Sequence, residues 1–81
     1  MIDRTKIRQY FGLALKKQRV INRYSLQELS ELLEININTL FKLERGEQDI
    51  KLPLYLDICS FFNVGLTHFL PDEWQEIRKE G

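Results

Sequence analysis

The stretch from Ser25 to Gly46, SLQELSELLEININTLFKLERG, leaves the backbone few choices. Ser25 stands three residues before Glu28, the spacing of a reciprocal cap at a helix start. Tyr24 and Leu29 flank that cap as a hydrophobic staple, and Leu29, Leu32 and Leu33 then share one helical face. The same pattern restarts at once. Asn36 is a second cap, Ile35 and Leu40 a second staple, Leu40 and Leu43 an inward pair, and Gly46 a left-handed stop. The period-two alternation of a strand is absent. The stretch therefore predicts two short helices joined by a tight turn.

The flanking sequence supplies the rest of an all-α domain. Asp3 or Thr5 can cap a long first helix that reaches about Asn22. Its apolar stripe is Ile7, Phe11, Ala14 and Leu15, with Arg19 at the following i+4 position. Gly12 costs helix propensity there and suits close approach of a second helix. Lys6, Arg8, Lys16 and Lys17 lie off the stripe or at its edges, as a solvated face or as contacts to phosphate. Beyond Gly46, Pro53 fits the first turn of a helix that starts near Leu52. Leu52, Tyr55, Ile58, Cys59 and Phe62 give its core face, and Asn63 ends it in the left-handed conformation. Leu54 and Phe61 fall on another side, as contacts for a neighbouring helix or a second subunit. Residues 65–70 predict a short fifth helix, with Leu66, Phe69 and Leu70 closing the core. Asp72 then caps a final helical piece to about Lys79, where Trp74 and Ile77 are i,i+3 partners that fold back or serve dimerisation. The expected division is a domain over 1–70 and a short tail over 71–81.

Composition narrows the function classes. Eighty-one residues, 43% of them hydrophobic and 30% charged, support one small soluble core. A single cysteine, Cys59, excludes an internal disulfide, and its apolar register marks a buried side chain rather than a nucleophile. There is no zinc spacing, no phosphate-binding glycine loop, and only a lone His68. No catalytic set, metal site or cofactor is expected, and no membrane span or leader is visible, which suits a cytoplasmic protein. The net charge of zero conceals a division. Residues 1–24 carry +6, residues 25–50 carry −4, and residues 51–81 carry −2.

Four runs of residues in register carry a resemblance. They are F-G-x-x-L-x-x-x-R at 11–19, S-x-x-E-L-S at 25–30, I-N-x-N-T-L-x-x-L-E-R-G at 35–46 and L-x-x-Y-L-x-I-C-x-x-F-N-V at 52–64. From about Phe11 to Leu70 the chain resembles the phage-repressor and Cro-like (XRE-type) helix-turn-helix family. The resemblance implies a five-helix repressor-like fold and a sequence-specific regulator of transcription that binds double-stranded DNA. It further implies a repressor that acts by operator occupancy as a homodimer, encoded by a bacterium or phage. In that pattern Arg19 of the first helix pairs with Glu44 near the end of the third.

The base-reading positions implied by the resemblance fall on Ile37, Asn38 and Lys42, with Phe41 between them. Their chemistry suits the role: Asn pairs with adenine, Lys reaches guanine, and Ile or Phe meets a thymine methyl. Arg23, Ser25, Gln27, Thr39, Arg45 and Lys51 are the phosphate candidates, and Leu54, Phe61, Trp74 and Ile77 the dimer candidates. Two positions depart from the family's pattern. Leu26 stands where glutamine commonly reaches a phosphate, and Glu34 stands where the turn usually has glycine, at a cost of about 1 kcal/mol in a left-handed backbone. With an acidic reading motif, these departures keep a second function open: a repressor-like fold that binds a protein partner, as an antirepressor or regulatory subunit, through Ile37 and Phe41, with Trp74 as a further candidate anchor.

Overall fold

The computed structural model describes residues 3–71. Four helices account for the regular structure of that span: α1 over Arg4–Ile21, α2 over Leu26–Leu33, α3 over Ile37–Glu44 and α4 over Leu52–Phe62. Asp3 caps α1, its carboxylate accepting the Lys6 N–H at 3.2 Å. Ser25 and Glu28 form the reciprocal cap of α2, and the Asn36 side chain accepts the Asn38 N–H at 2.7 Å to start α3. Left-handed residues punctuate the chain: Glu34 (φ 57°) ends α2, Gly46 (φ 72°) follows α3 and Asn63 (φ 55°) ends α4. Glu34 thus keeps the turn that glycine would make without strain. Arg23 (φ 62°) adds a fourth such turn between α1 and α2.

The core is assembled from every helix. Phe11 and Leu15 of α1, Leu29 of α2, Leu40 and Leu43 of α3, and Ile58 and Cys59 of α4 are buried around Phe69. Phe69 meets Phe11 edge-on with ring centroids 5.5 Å apart, a favoured aromatic geometry. Gly12 sets the approach of α1 to α3. A Cβ at this position would lie 2.5 Å from the backbone oxygens of both Leu43 and Glu44, so no larger residue fits the spacing. Cys59 is buried, and burial pushes its thiol pKa up, which leaves an inert side chain.

Several expectations need correction. Residues 65–70 form successive turns rather than a fifth helix. The His68 N–H donates to the Gly65 carbonyl and the Leu70 N–H to the Thr67 carbonyl, both at 3.0 Å. Six residues between Val64 and Pro71 are too few to offset helix nucleation, and proline disfavours a helical Leu70 before it. Phe69 still closes the core, but Leu66 is exposed. Leu32 and Leu52 are exposed too, because the short α2 commits chiefly Leu29 and Ser30 to the interior and Leu52 opens α4 at its outer end. Leu54 and Phe61 are half-buried against the core, and Phe61 packs on Tyr24 at 5.7 Å. The expected final helical piece, with Trp74 and Ile77, lies outside the described residues.

Candidate nucleic-acid interface

The α2–α3 unit is built to hold α3 at a fixed angle. Ser30 is buried between the helices, its hydroxyl donating back to the Gln27 carbonyl at 2.8 Å, so its small size permits close packing. Arg19 then locks α3 to the rest. Its Nε donates to Glu44 Oε2 at 2.7 Å and its Nη2 to Glu44 Oε1 at 3.1 Å. Nη1 donates to the Tyr24 carbonyl at 2.9 Å. One guanidinium therefore ties α1, the α1–α2 connection and the end of α3. The side chains of Arg19 and Glu44 are only 12% and 5% exposed, so the pair is shielded from screening by salt.

This clamp leaves the outer side of α3 in solvent. Ile37, Asn38, Phe41 and Lys42 are all exposed there, which brings the base-reading candidates onto one surface. Thr39 is half-buried behind them. Around this face the phosphate candidates differ in their freedom. Ser25 is engaged in the α2 cap, and Gln27 donates to Glu31 at 2.9 Å. The Arg45 guanidinium sits 5.3 Å from the Phe41 ring centroid and 3.2 Å from Glu47, exposed but paired on the flank of the reading helix. Arg23 is exposed in its left-handed turn, and Lys51 is exposed at the start of α4.

The acidity of this segment is largely used internally. Of the six carboxylates between residues 25 and 50, Glu28 caps α2, Glu31 accepts from Gln27 and Glu44 is clamped by Arg19. Glu47 pairs with Arg45, and Asp49 pairs with Arg8 at 3.1 Å. The Ser25 N–H, and then its hydroxyl, hold Glu28 below the usual carboxylate range. Glu34 alone of the six stands at the turn without such a partner among the described residues.

The structure also singles out, by its position, one of the four α1 cations open to phosphate contact. An open hollow of about 500 Å³ runs between α1 and the α2–α3 unit, lined in part by Leu13, Lys16, Leu26, Phe41 and Arg45. Lys16 thus borders the N-terminus of α2 and the flank of α3, on the surface where Leu26 leaves no polar group. The spacing of Gln9, Leu13 and Lys16 on one α1 face, adjoining the face of Arg19, was the available signal. No grouping of His, Cys, Asp or Glu that could hold a metal ion occurs among the described residues. No helix among them is long and apolar enough to cross a membrane.

Comparison with known proteins agrees with this geometry. Residues 15–69 match the family model described as helix-turn-helix. None of the curated protein sequences compared with the chain matches it. Among solved structures, the clp gene regulator ClgR from Corynebacterium glutamicum superposes with a TM-score of 0.72 at 26% identity, covering 79% of this chain and 68% of that one. A second structure of ClgR gives 0.71 at 26% identity, with 79% and 83% covered. The restriction-modification controller protein C.AhdI from Aeromonas hydrophila shares the fold, with a TM-score of 0.70 at 19% identity over 76% of this chain and 94% of that one. With the family match spanning most of the chain, and with the α2–α3 unit clamped and its outer face exposed, the chain belongs to the helix-turn-helix family of the phage-repressor and Cro-like (XRE) type, whose members are DNA-binding regulators of transcription.

Proposed function

We propose that this protein is a sequence-specific regulator that binds double-stranded DNA as a dimer and represses by occupying a two-fold operator. The observation that carries the reading is the exposed row Ile37, Asn38, Phe41 and Lys42 on a helix whose orientation is fixed by the Arg19–Glu44 clamp. With α3 in the major groove, Asn38 pairs with adenine, Lys42 with guanine, and Ile37 and Phe41 meet thymine methyls. Lys51, Arg23 and Lys16 set the register on phosphates, together with the amides at the starts of α2 and α3. A regulatory role agrees with the names of the structural relatives, a clp gene regulator and a restriction-modification controller.

A titration against a pool of random duplexes at low salt tests the reading. The expected result is enrichment of a two-fold sequence, with Asn38→Ala costing about 1–3 kcal/mol and relaxing the preference at one base pair per half-site. Absence of any enriched sequence would overturn it. A second reading then takes its place, because the hollow beside Phe41 is floored by Leu13 and Leu26 and would accept an apolar anchor from a protein partner.

A further inference from the structure

Two large apolar side chains stand exposed on α3, Ile37 at 39% and Phe41 at 45%. The other exposed large hydrophobics among the described residues lie on α1, α2, α4 and the turns after it. Ile37 and Phe41 are about one helical turn apart, and each is followed at once by a polar reader, Asn38 and Lys42. Apolar and polar groups thus alternate along the face proposed to meet the bases. Phe41 does not stand alone there. The Arg45 guanidinium lies 5.3 Å from its ring centroid, and Leu13 and Leu26 line the hollow on its other flank.

An apolar side chain in the major groove has one apolar group to meet, the C5 methyl of a pyrimidine. Neither Ile37 nor Phe41 carries a donor or acceptor, so neither senses the polar group at position 4 of the ring. Thymine has an acceptor there and cytosine a donor. In the major groove, thymine and 5-methylcytosine share the methyl and differ only at position 4. Resting on the DNA-binding reading above, we infer that Ile37 and Phe41 read the C5 methyl itself, so that 5-methylcytosine satisfies them as thymine does. Where an operator carries cytosine at such a contact, methylation of that cytosine strengthens binding. The mark lies in the groove that α3 enters, and it covers apolar side chains that are otherwise left in water. Burial of one methyl group is worth about fourfold in affinity, and about 16-fold when both half-sites of a two-fold site carry it. Asn38 and Lys42 take no part in this effect, because their partners are purines, which have no such methyl.

The operator enriched from the random pool supplies the test. Replacing each of its thymines in turn by uracil removes the methyl and nothing else. At the contacted positions affinity is expected to fall about fourfold for one half-site and about 16-fold for both. At those same positions a cytosine·guanine pair is then compared with a 5-methylcytosine·guanine pair, and the methyl should raise affinity by the same factor. Ile37→Ala and Phe41→Ala, both at exposed sites, should each abolish the difference at one position while keeping the helical circular dichroism. An operator whose thymines all tolerate uracil would overturn the inference and leave sequence-specific binding intact. So would a uracil effect that persists in both alanine variants, or a 5-methylcytosine pair bound no tighter than the cytosine pair. A pool that yields no enriched sequence rejects the proposed function, and this inference with it.

Discussion

Replacing Glu44 by alanine should destabilise the domain more than any change on its surface. Among the described residues the carboxylate is the only charge bonded to Arg19 Nε and Nη2, and both side chains are largely buried. Breaking a buried pair by removing one member costs about 3–5 kcal/mol, because the remaining charge is left uncompensated. The lower end applies here. Arg19 keeps its bond to the Tyr24 carbonyl, and its side chain borders the open hollow beside Leu13, so truncation of Glu44 lets the unpaired guanidinium regain water. A domain of 81 residues has about 4–12 kcal/mol in all, so a loss of about 3 kcal/mol removes a large share. At about 4–8 °C per kcal/mol for a domain of this size, the melting temperature should fall by about 12–24 °C. Thermal denaturation followed by circular dichroism measures it. The double variant Arg19→Met with Glu44→Leu supplies the control, since apolar residues in place of a whole buried pair are often neutral. It should recover most of the loss. A fall of less than about 4 °C in Glu44→Ala, or a double variant as unstable as the single one, would refute the clamp.

Gly12→Ala should cost at least about 1–3 kcal/mol in urea denaturation, because its Cβ meets two backbone oxygens that cannot rotate away and α1 must separate from α3. Tyr55 gives a signature at alkaline pH. Burial first, and then the neighbouring Cys59, push its pKa from 10.0 up to about 12, so the neutral phenol is favoured in the folded state. The stability it contributes is complete below pH 10 and is lost as pH rises from 10 toward 12. Tyr55→Phe should flatten that slope in alkaline melts, at the expense of the hydrogen bond from its hydroxyl to the Leu66 carbonyl.

Local signals in the sequence were readable wherever short-range chemistry decides the backbone. The Ser25–Glu28 cap, the Asn36 cap and the left-handed stops at Gly46 and Asn63 each depend on residues within one turn, and the structure forms all of them. Glu34 shows the limit of such reasoning. Its residue type argues against a left-handed turn, yet the packing of α2 on α3 holds it there. The fifth helix failed for a related reason, since the apolar spacing of Leu66, Phe69 and Leu70 is equally compatible with turns that bury Phe69 alone. Lys16 was visible as one of four α1 cations open to phosphate contact, but not as the one beside α3. Its place beside Leu26 and Phe41 depends on the angle between α1 and α3, which Gly12 and the Arg19–Glu44 pair set together.

That angle also resolves how an acidic motif can face a polyanion. A segment charge of −4 counts carboxylates without regard to where they point or what they hold. Glu44 is buried, Glu47 and Asp49 are paired with arginines, and Glu28 is engaged in a cap, so the repulsion felt at a duplex is much smaller than the sum implies. The same pairings withdraw Arg45 and Arg8 from the attractive side. With Lys42 turned to a base edge, the cations left for phosphate near α3 are Lys51, Arg23 and Lys16. If two of the three touch the backbone, a dimer neutralises about four phosphates, and log affinity should fall with log salt at a slope of only about −3 to −4. Lys16 shares its hollow with Leu26, the first residue of α2, whose N-terminal amides favour an anion. Lys16→Ala should therefore weaken all duplex sequences alike and make the slope shallower by about 1.8 for the two protomers. An unchanged slope would place Lys16 outside the interface and leave the apolar hollow it borders to a protein partner.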